Sequence, residues 1–277
     1  MKRAHVLLLD PLDPRLAPYN SLKGKALEKA GIFIAEGEKV VRSMVDSSCR
    51  IASCLTAESA VSRYKPLLAA MVKRGARVYT APDELIEKII GFRFHKGIMA
   101  VGQCPKKLTI SGAVKGFKCP LFFVALNAVN DPQNVGLIAR NASAFAVQAL
   151  IVDNATYDPY YRKAVRVSMG AIFRLPVCYE DDLGSSLIRL KEKYDTRIIA
   201  ATPGKGAGDI AKVELSGNIC FVFGNEDKGV SRKVLDVADL KVRVPISKKI
   251  DSLNVASASA VCLYEASRRR SIYEALE

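Results

Sequence analysis

Histidine is nearly absent from this chain: of 277 residues only His5 and His95 carry an imidazole. Cysteine occurs seven times, at Cys49, Cys54, Cys104, Cys119, Cys178, Cys220 and Cys262, but the residues are scattered, odd in number and never spaced as C-x-x-C. A structural zinc site needs four clustered ligands, and a disulfide framework needs paired, regularly spaced cysteines. The sequence therefore predicts no metal and reads the thiols as small buried hydrophobes, as in NICFVFG around Cys220 and AVCLYEA around Cys262. Long apolar runs are missing as well. Nothing approaches the roughly 18 uninterrupted apolar residues that span a bilayer, and the start, MKRAHVLLLDPLDPR, reaches Asp10 too soon for a signal peptide. The expectation is a cytoplasmic protein with no membrane partner.

Two glycine signatures are missing too. No G-x-G-x-x-G follows the first strand of either half, and there is no G-x-x-x-x-G-K-[ST]. The nearest cluster, PGKGAGD at 203–209, leads into no helix and reads as a flexible turn rather than a phosphate cradle. A Rossmann oxidoreductase and a P-loop enzyme are both left without support. Acidic residues are in short supply: 28 against 42 Lys and Arg, a formal charge of +14. The excess is uneven. Residues 1–118 hold 21 basic and 10 acidic side chains, net +11, and residues 119–277 hold 21 and 18, net +3. A basic N-terminal half is what a partner such as a polyanion calls for.

What is present is alternation. SLKGKALEKA reads as a helix, GIFIAEG as a strand, EKVVRSMV as a helix, IASCLTA as a strand and ESAVSRYKPLLAAMVKRG as a helix; ARVYTAP, PDELIEKII and KGIMAVGQ complete an α/β/α domain. CPKKLTISGAVKGFKCP at 104–120 has little periodicity and reads as a linker. From LFFVALN a second series follows, ending in a helix from about Ser252 to Leu276. Apolar strands between amphipathic helices imply a mainly parallel α/β sheet covered on both faces. The domain reading is 1–104, with about 1–20 as an extension, a linker at 105–119, and a second domain at 120–277.

Parallel sheets bind ligands beyond the C-terminal ends of their strands, and three polar clusters stand at such ends. NAVNDPQNVGLIAR carries Asn134 in the first turn of a helix and Arg140 about 120° further round it. The apolar neighbours of Arg140 favour a buried functional role. FVFGNEDKGVS ends a strand at Gly224, where backbone or ligand can approach closely. Its Glu226 is placed either to pair with Arg140 or to cap a helix opened by Gly229. VPISKKIDSLNVASASAVCLYEASRRR closes the chain: Ser252 reads as the N-cap of the last helix, and Asn254 needs a partner to justify an amide in the first turn.

Together, Asn130-Asp131-Pro132-x-Asn134-x-Gly136 with Arg140, FVFGNE with Glu226 and Gly229, and Pro245 with Ser252-Leu253-Asn254 and Glu265…Arg268-Arg269 resemble the three motifs of the SpoU (TrmH-like) branch of the SPOUT superfamily of RNA methyltransferases. The match covers about 120–272. FIAEGEKVV and FHKGIMAVGQ look like the small substrate-binding domain, similar to ribosomal protein L30e, that often precedes this catalytic domain. Two positions depart: the family commonly has Gly where Ala146 stands and Ser where Ala256 stands. The first change should be tolerated, and the second removes a hydroxyl near the cofactor.

The resemblance implies a trefoil knot in the last third of the chain, S-adenosyl-L-methionine as cofactor and a ribose 2′-hydroxyl as acceptor, in rRNA ahead of tRNA, with a non-catalytic RNA-binding protein as the competing class. It implies a cofactor pocket from Ala200, Ala201 and Thr202; Val222, Phe223, Gly224, Asn225, Glu226 and Gly229; Val244, Pro245 and Ile246; and Ser252 with the Leu253–Ala258 turn, where Leu253, Asn254 and Ala256 stand. It assigns the chemistry to Arg140, with Asn134, Ser252 and Asn254 orienting the ribose and Glu226 positioning Arg140 or its own loop. It also implies a homodimer through the last helix and the Asn134–Arg140 helix.

Overall fold

The computed structural model describes residues 5–20, 27, 29–91, 97–204 and 206–270. Most of the helix expected over 21–30, residues 92–96 with His95, and the last helix beyond Arg270 lie outside the described residues. The chain divides into two compact units: Met1–Lys106 with Tyr160–Arg174, and Lys107–Pro159 with Leu175–Glu277.

The first unit holds strands β1 (His5–Leu7), β2 (Ile32–Glu36), β3 (Ile51–Ala57), β4 (Arg77–Ala81) and β5 (Ile98–Gln103), in sheet order β1-β4-β3-β5-β2. The first three of that order run parallel, and β5 is antiparallel to both its neighbours. Helices α1 (Ala17–Asn20), α2 (Glu38–Val45), α3 (Val61–Lys73) and α4 (Asp83–Ile90) accompany them. The bounds of α2 and β3 match EKVVRSMV and IASCLTA as read from periodicity, because Val40, Val41 and Met44 share one buried helical stripe.

One feature of this unit was hidden from the sequence. Tyr160–Arg174, read as part of the catalytic half by its position in the chain, groups with the first unit. Phe33 lies across Gly102 of β5, where an added Cβ would meet its ring at 2.2 Å. Its ring is then covered by Tyr160 and Phe173, with centroids 5.3 and 5.2 Å away. Arg162, opening α5 (Arg162–Val167), pairs with the buried Glu36 at 2.7 Å, and the Ser43 hydroxyl donates to the Gly170 carbonyl. Burial of Phe33 and neutralisation of Glu36 explain why the segment belongs here.

The second unit contains β6 (Phe122–Asn127), β7 (Ala149–Asp153), β8 (Val177–Glu180), β9 (Arg197–Ala201), β10 (Gly208–Asp209), β11 (Ile219–Gly224) and β12 (Leu240–Arg243). Their order is β10-β12-β9-β11-β6-β7-β8, and every pairing is parallel. All residues of β6 and β11 are buried, as strands covered on both faces must be. The glycine cluster at 203–209 is more than a turn, since Gly208 and Asp209 pair with Val242 and Arg243. The expected linker is structured as well. Residues 110–113 form a short helix whose Ile110, with Val114, enters the core, and the buried Glu180 carboxylate accepts the Ile110 N–H at 2.6 Å. An i, i+4 apolar pair behind the N-cap Thr109 was the overlooked signal.

The helix α6 (Pro132–Ala144) stops three residues earlier than its apolar pattern. The Val147 N–H returns to the Ala142 carbonyl at 2.9 Å and the Ala146 N–H to that of Ser143 at 3.4 Å, a Schellman motif with Ala146 at φ +55°. The added methyl is therefore held in a left-handed conformation that glycine adopts without cost. Ala146→Gly is expected to raise stability by about 1 kcal/mol, read as a rise of about 2–4 °C in Tm. An unchanged or lower Tm would remove the strain argument. Among the described residues no helix is long and apolar enough to cross a membrane.

Candidate active site

Three loops leave the C-terminal ends of β6, β11 and β12 and meet. The first begins at Asn127, whose amide donates to Asp153 at 2.8 Å and whose carbonyl oxygen accepts the Ser231 N–H at 2.7 Å. Ala128 follows at φ +58°, held there by its N–H on the Asp153 carboxylate and by its carbonyl, which accepts from the Asn225 amide at 2.9 Å. Asp131 caps α6 through the Gln133 N–H, and Pro132 occupies the first helical position. Asn134 then sits buried in the first turn.

The second loop is a tight hairpin. Asn225 and Gly229 exchange backbone hydrogen bonds of 3.1 and 2.9 Å, and the Asn225 side chain accepts the Asp227 and Lys228 N–H groups. Gly229 closes this turn at φ +67° and opens no helix; α7 (Arg232–Val237) begins three residues later. Gly224 packs directly under it: an added Cβ would lie 2.2 Å from the Val230 nitrogen and 2.3 Å from the Gly229 carbonyl carbon. Close approach is thus by backbone.

The third loop runs into the last helix, α8 (Val255–Arg269). Its N-cap is Asn254, not Ser252: the Asn254 side-chain oxygen accepts from Ala256 and Ser257. The remaining amide donor explains the residue. Asn254 Nδ2 donates to Asn134 Oδ1 at 3.0 Å, Asn134 Nδ2 donates to Glu226 Oε1 at 2.7 Å, and Glu226 Oε2 accepts the Asn130 N–H at 3.4 Å. One relay of amide and carboxylate therefore joins the three motifs. Glu226 takes neither of the partners the sequence offered it, Arg140 or a helix end.

Arg140 departs from expectation more sharply. It is exposed, and among the described residues it takes part in no hydrogen bond or ion pair, while Asn134 on the same helix is buried. A 120° separation puts the two on different sides of α6. The neighbouring Asn141, missed from sequence, turns toward α8 and donates to the Ala256 carbonyl and the Ser259 hydroxyl at 2.9 and 3.0 Å. Ala256 is accordingly buried against α6, so the missing hydroxyl bears on helix packing.

Beside the relay lies a cleft of about 370 Å³. Its wall includes Ala201, Thr202, Phe223, Gly224, Asn225, Glu226, Gly229, Val244, Ile246, Ser252, Leu253 and Asn254. Ala200 and Val222 are instead buried within the sheet, Pro245 is exposed, and none of the three lines the cleft. Val255 and Ala258 of the expected Leu253–Ala258 turn line it too, while sequence reading missed Pro203, Val242 and Cys262, along with three charged residues, Asp227, Arg243 and Asp251. Strand alternation back from Val244 would have found Val242, and helical spacing onward from Ala258 would have found Cys262. Burial pushes the Cys262 thiol up to about 12, so it lines the wall as a neutral group. Glu226, Asp227 and Asp251 outnumber Arg243, giving an anionic cleft in a chain of net charge +14.

The relay also separates two functions of Asn254. Asn254→Asp keeps the capping oxygen and adds a favourable charge at a helix N-terminus, but has no donor for Asn134. Thermal stability is expected to hold while methyl transfer falls about tenfold, the worth of one buried hydrogen bond; a parallel loss of Tm would show that capping is the whole role.

The comparisons with known proteins agree with this geometry. Residues 121–264 match the SpoU rRNA Methylase family. An uncharacterized tRNA/rRNA methyltransferase of Mycobacterium tuberculosis is 32% identical over 272 residues, covering 94% of this chain and 90% of the relative. The 23S rRNA (guanosine-2′-O-)-methyltransferase RlmB of Ralstonia nicotianae is 28% identical over 214 residues, covering 77% of this chain and 85% of RlmB. In fold, the chain is similar to an AdoMet-bound rRNA methyltransferase from Sinorhizobium meliloti, with a TM-score of 0.83, 23% identity and coverage of 96% of this chain and 98% of the other. With its three motifs joined at one cleft and more than half its length matched, the chain belongs to the SpoU rRNA Methylase family of the SPOUT superfamily.

Proposed function

We propose that this protein is an S-adenosylmethionine-dependent RNA methyltransferase that modifies a ribose 2′-hydroxyl, with rRNA as substrate, and that it works in the cytoplasm as a homodimer. The observation that carries the reading is the Asn254–Asn134–Glu226 relay at the lip of an anionic cleft. The residues present fit the cofactor. The cleft has the size of a small-molecule site, its apolar wall of Val242, Ile246 and Leu253 suits an aromatic ring, and its surplus of carboxylates suits a cation. When bound, S-adenosylmethionine supplies an electrophilic methyl group on a positively charged sulfonium.

The protein must then deliver a poor nucleophile. Arg140 grips the phosphate next to the acceptor ribose through its planar fork, and its charge lowers the hydroxyl pKa so that the proton leaves to a phosphate oxygen or water. Asn134 and Asn254 fix the lip where the ribose rests, Ser252 orients the ribose, and Glu226 holds the Asn130 backbone in register. Arg140 lies outside the cleft wall of its own chain. Its helix packs on α8, which leaves Val261 and Tyr264 40% and 49% exposed. That apolar surface supports dimerisation through these two helices, with Arg140 on the face where two copies meet.

The knot belongs to the same reading. Its support is the way α8 ends: Arg269 donates to the Val213 carbonyl at 2.6 Å and to that of Ala211, and Arg270 reaches the carbonyls of Leu215, Gly217 and Leu121. The basic first unit is read as the L30e-like platform for RNA. Substrate choice follows the RlmB relatives, whose name specifies 23S rRNA. Mapping 2′-O-methyl groups in total RNA from a strain lacking the protein tests all of this at once. Loss of one rRNA methylation is the expected result, loss confined to tRNA would overturn the substrate, and no heat on titrating S-adenosylmethionine into the protein would leave an RNA-binding protein without catalysis.

A further inference from the structure

The cleft that suits a sulfonium is ill suited to RNA. Its wall carries Glu226, Asp227 and Asp251 against Arg243, and a ribose cannot reach the relay without bringing the phosphates on either side of it to the lip. Like charges within about 10 Å still repel at about 0.1 M salt, so something at the lip must offset the carboxylates. Three lysines stand where they can. Lys228 lies between Asp227 and Gly229, both of which line the cleft, and its N–H donates to Asn225 Oδ1 at 2.9 Å, which fixes it at the tip of the hairpin. Lys248 and Lys249 lie in the turn between Ile246 and Asp251, which line the cleft as well. The Ser247 hydroxyl accepts the Lys249 N–H at 3.3 Å and the Ser247 carbonyl accepts the Ile250 N–H at 3.2 Å, so this turn too is tied to itself. All three lysines are exposed, and among the described residues their side chains make no ion pair or hydrogen bond. Carboxylates are not lacking, since Asp227 is one residue from Lys228 and Asp251 two from Lys249. Arg232 and Lys233 of α7, by contrast, are paired with Asp236 and Asp182 at 2.9 and 2.7 Å.

We propose that Lys228, Lys248 and Lys249 form a cationic rim that seats the backbone phosphates flanking the acceptor ribose. The two signs of charge then serve two ligands. The carboxylates of the wall favour the cofactor's sulfonium, and the lysines of the rim favour the strand that crosses the mouth. A lysine acts on phosphate as a point charge on a flexible stem, so it fixes where the strand lies without reading its sequence. The three are positioning residues, because they touch phosphate and not the reacting atoms. The inference rests on the RNA methyltransferase reading above.

Each lysine that neutralises a phosphate of single-stranded RNA adds about 0.7 to the slope of log affinity against log salt. In methyl transfer to rRNA from a strain lacking the protein, the triple variant Lys228→Ala, Lys248→Ala, Lys249→Ala should therefore lower the salt slope of KM by about 2. Its disadvantage against the unaltered protein then shrinks about 20-fold between about 50 and 200 mM salt. Its kcat and Tm should hold, and S-adenosylmethionine should bind no more weakly, since removing cations beside an anionic cleft does not disfavour a sulfonium. Arginine at all three positions should restore the slope. Lys115→Ala with Lys118→Ala is the control: both lysines are exposed and precede β6, at the end of the sheet away from the cleft, and their loss should leave the slope unmoved. A triple variant with the slope of the unaltered protein overturns the proposal, and so does an equal loss per lysine in the control. Weaker S-adenosylmethionine binding with an unmoved slope overturns it too, by assigning the lysines to the cofactor. If the unaltered protein transfers no methyl group to any RNA, the methyltransferase reading falls instead. The slope is then read from binding of a single-stranded RNA oligonucleotide, where a loss of about 2 upholds the rim and an unmoved slope overturns it.

Discussion

Arg140→Ala is expected to cut the methyl-transfer rate by about 10²–10³-fold, the cost of removing one charge-stabilising group from a transition state. Tm and S-adenosylmethionine affinity should remain those of the unaltered protein. Both halves of this expectation come from where the residue stands. Arg140 is exposed and unpaired among the described residues, so truncation breaks no contact of the folded chain. It is also absent from the cleft wall, so the cofactor should not register its loss. Arg140→Lys keeps the charge without the planar fork and should recover only part of the rate. Single-turnover transfer with isothermal titration of S-adenosylmethionine separates the two quantities. Wild-type transfer by Arg140→Ala would end its catalytic assignment.

Gly224→Ala is expected to fail differently. Its Cβ would have to enter space already held by the Gly229 carbonyl and the Val230 nitrogen, and backbone cannot swing aside as a long side chain can. The hairpin must move or the strand must bend, at a cost of about 3 kcal/mol or more. Because the hairpin carries Glu226 and forms one wall of the cleft, stability and cofactor affinity should fall together. A variant that kept its affinity while losing several degrees of Tm would show that the hairpin is not part of the cofactor site.

The second unit was legible where apolar runs fix strands on both faces of a parallel sheet. Its three polar clusters were legible as separate features, each at a strand end. What the sequence could not supply was their connection. Glu226 had two candidate partners by spacing, Arg140 and a helix end, and takes neither; its partner Asn134 lies 92 residues earlier. The cap of the last helix could have gone to Ser252 or Asn254 by residue type alone; the loop path decides for Asn254. The anionic cleft was hidden for the same reason, because Asp227, Asp251 and Arg243 come from separate loops in a basic chain. The family's glycine at the position of Ala146 becomes intelligible only with the Schellman bonds in view.

The covering of Phe33 by Tyr160 and Phe173 bears on how such a protein can change over generations. A gene that exchanged its first hundred codons with a cousin would inherit a sheet shaped for a lid that it no longer encodes. Its old lid would keep an arginine aimed at a glutamate that had gone. Recombination at the apparent boundary is therefore disfavoured, and workable hybrids must carry Tyr160–Arg174 along with residues 1–106.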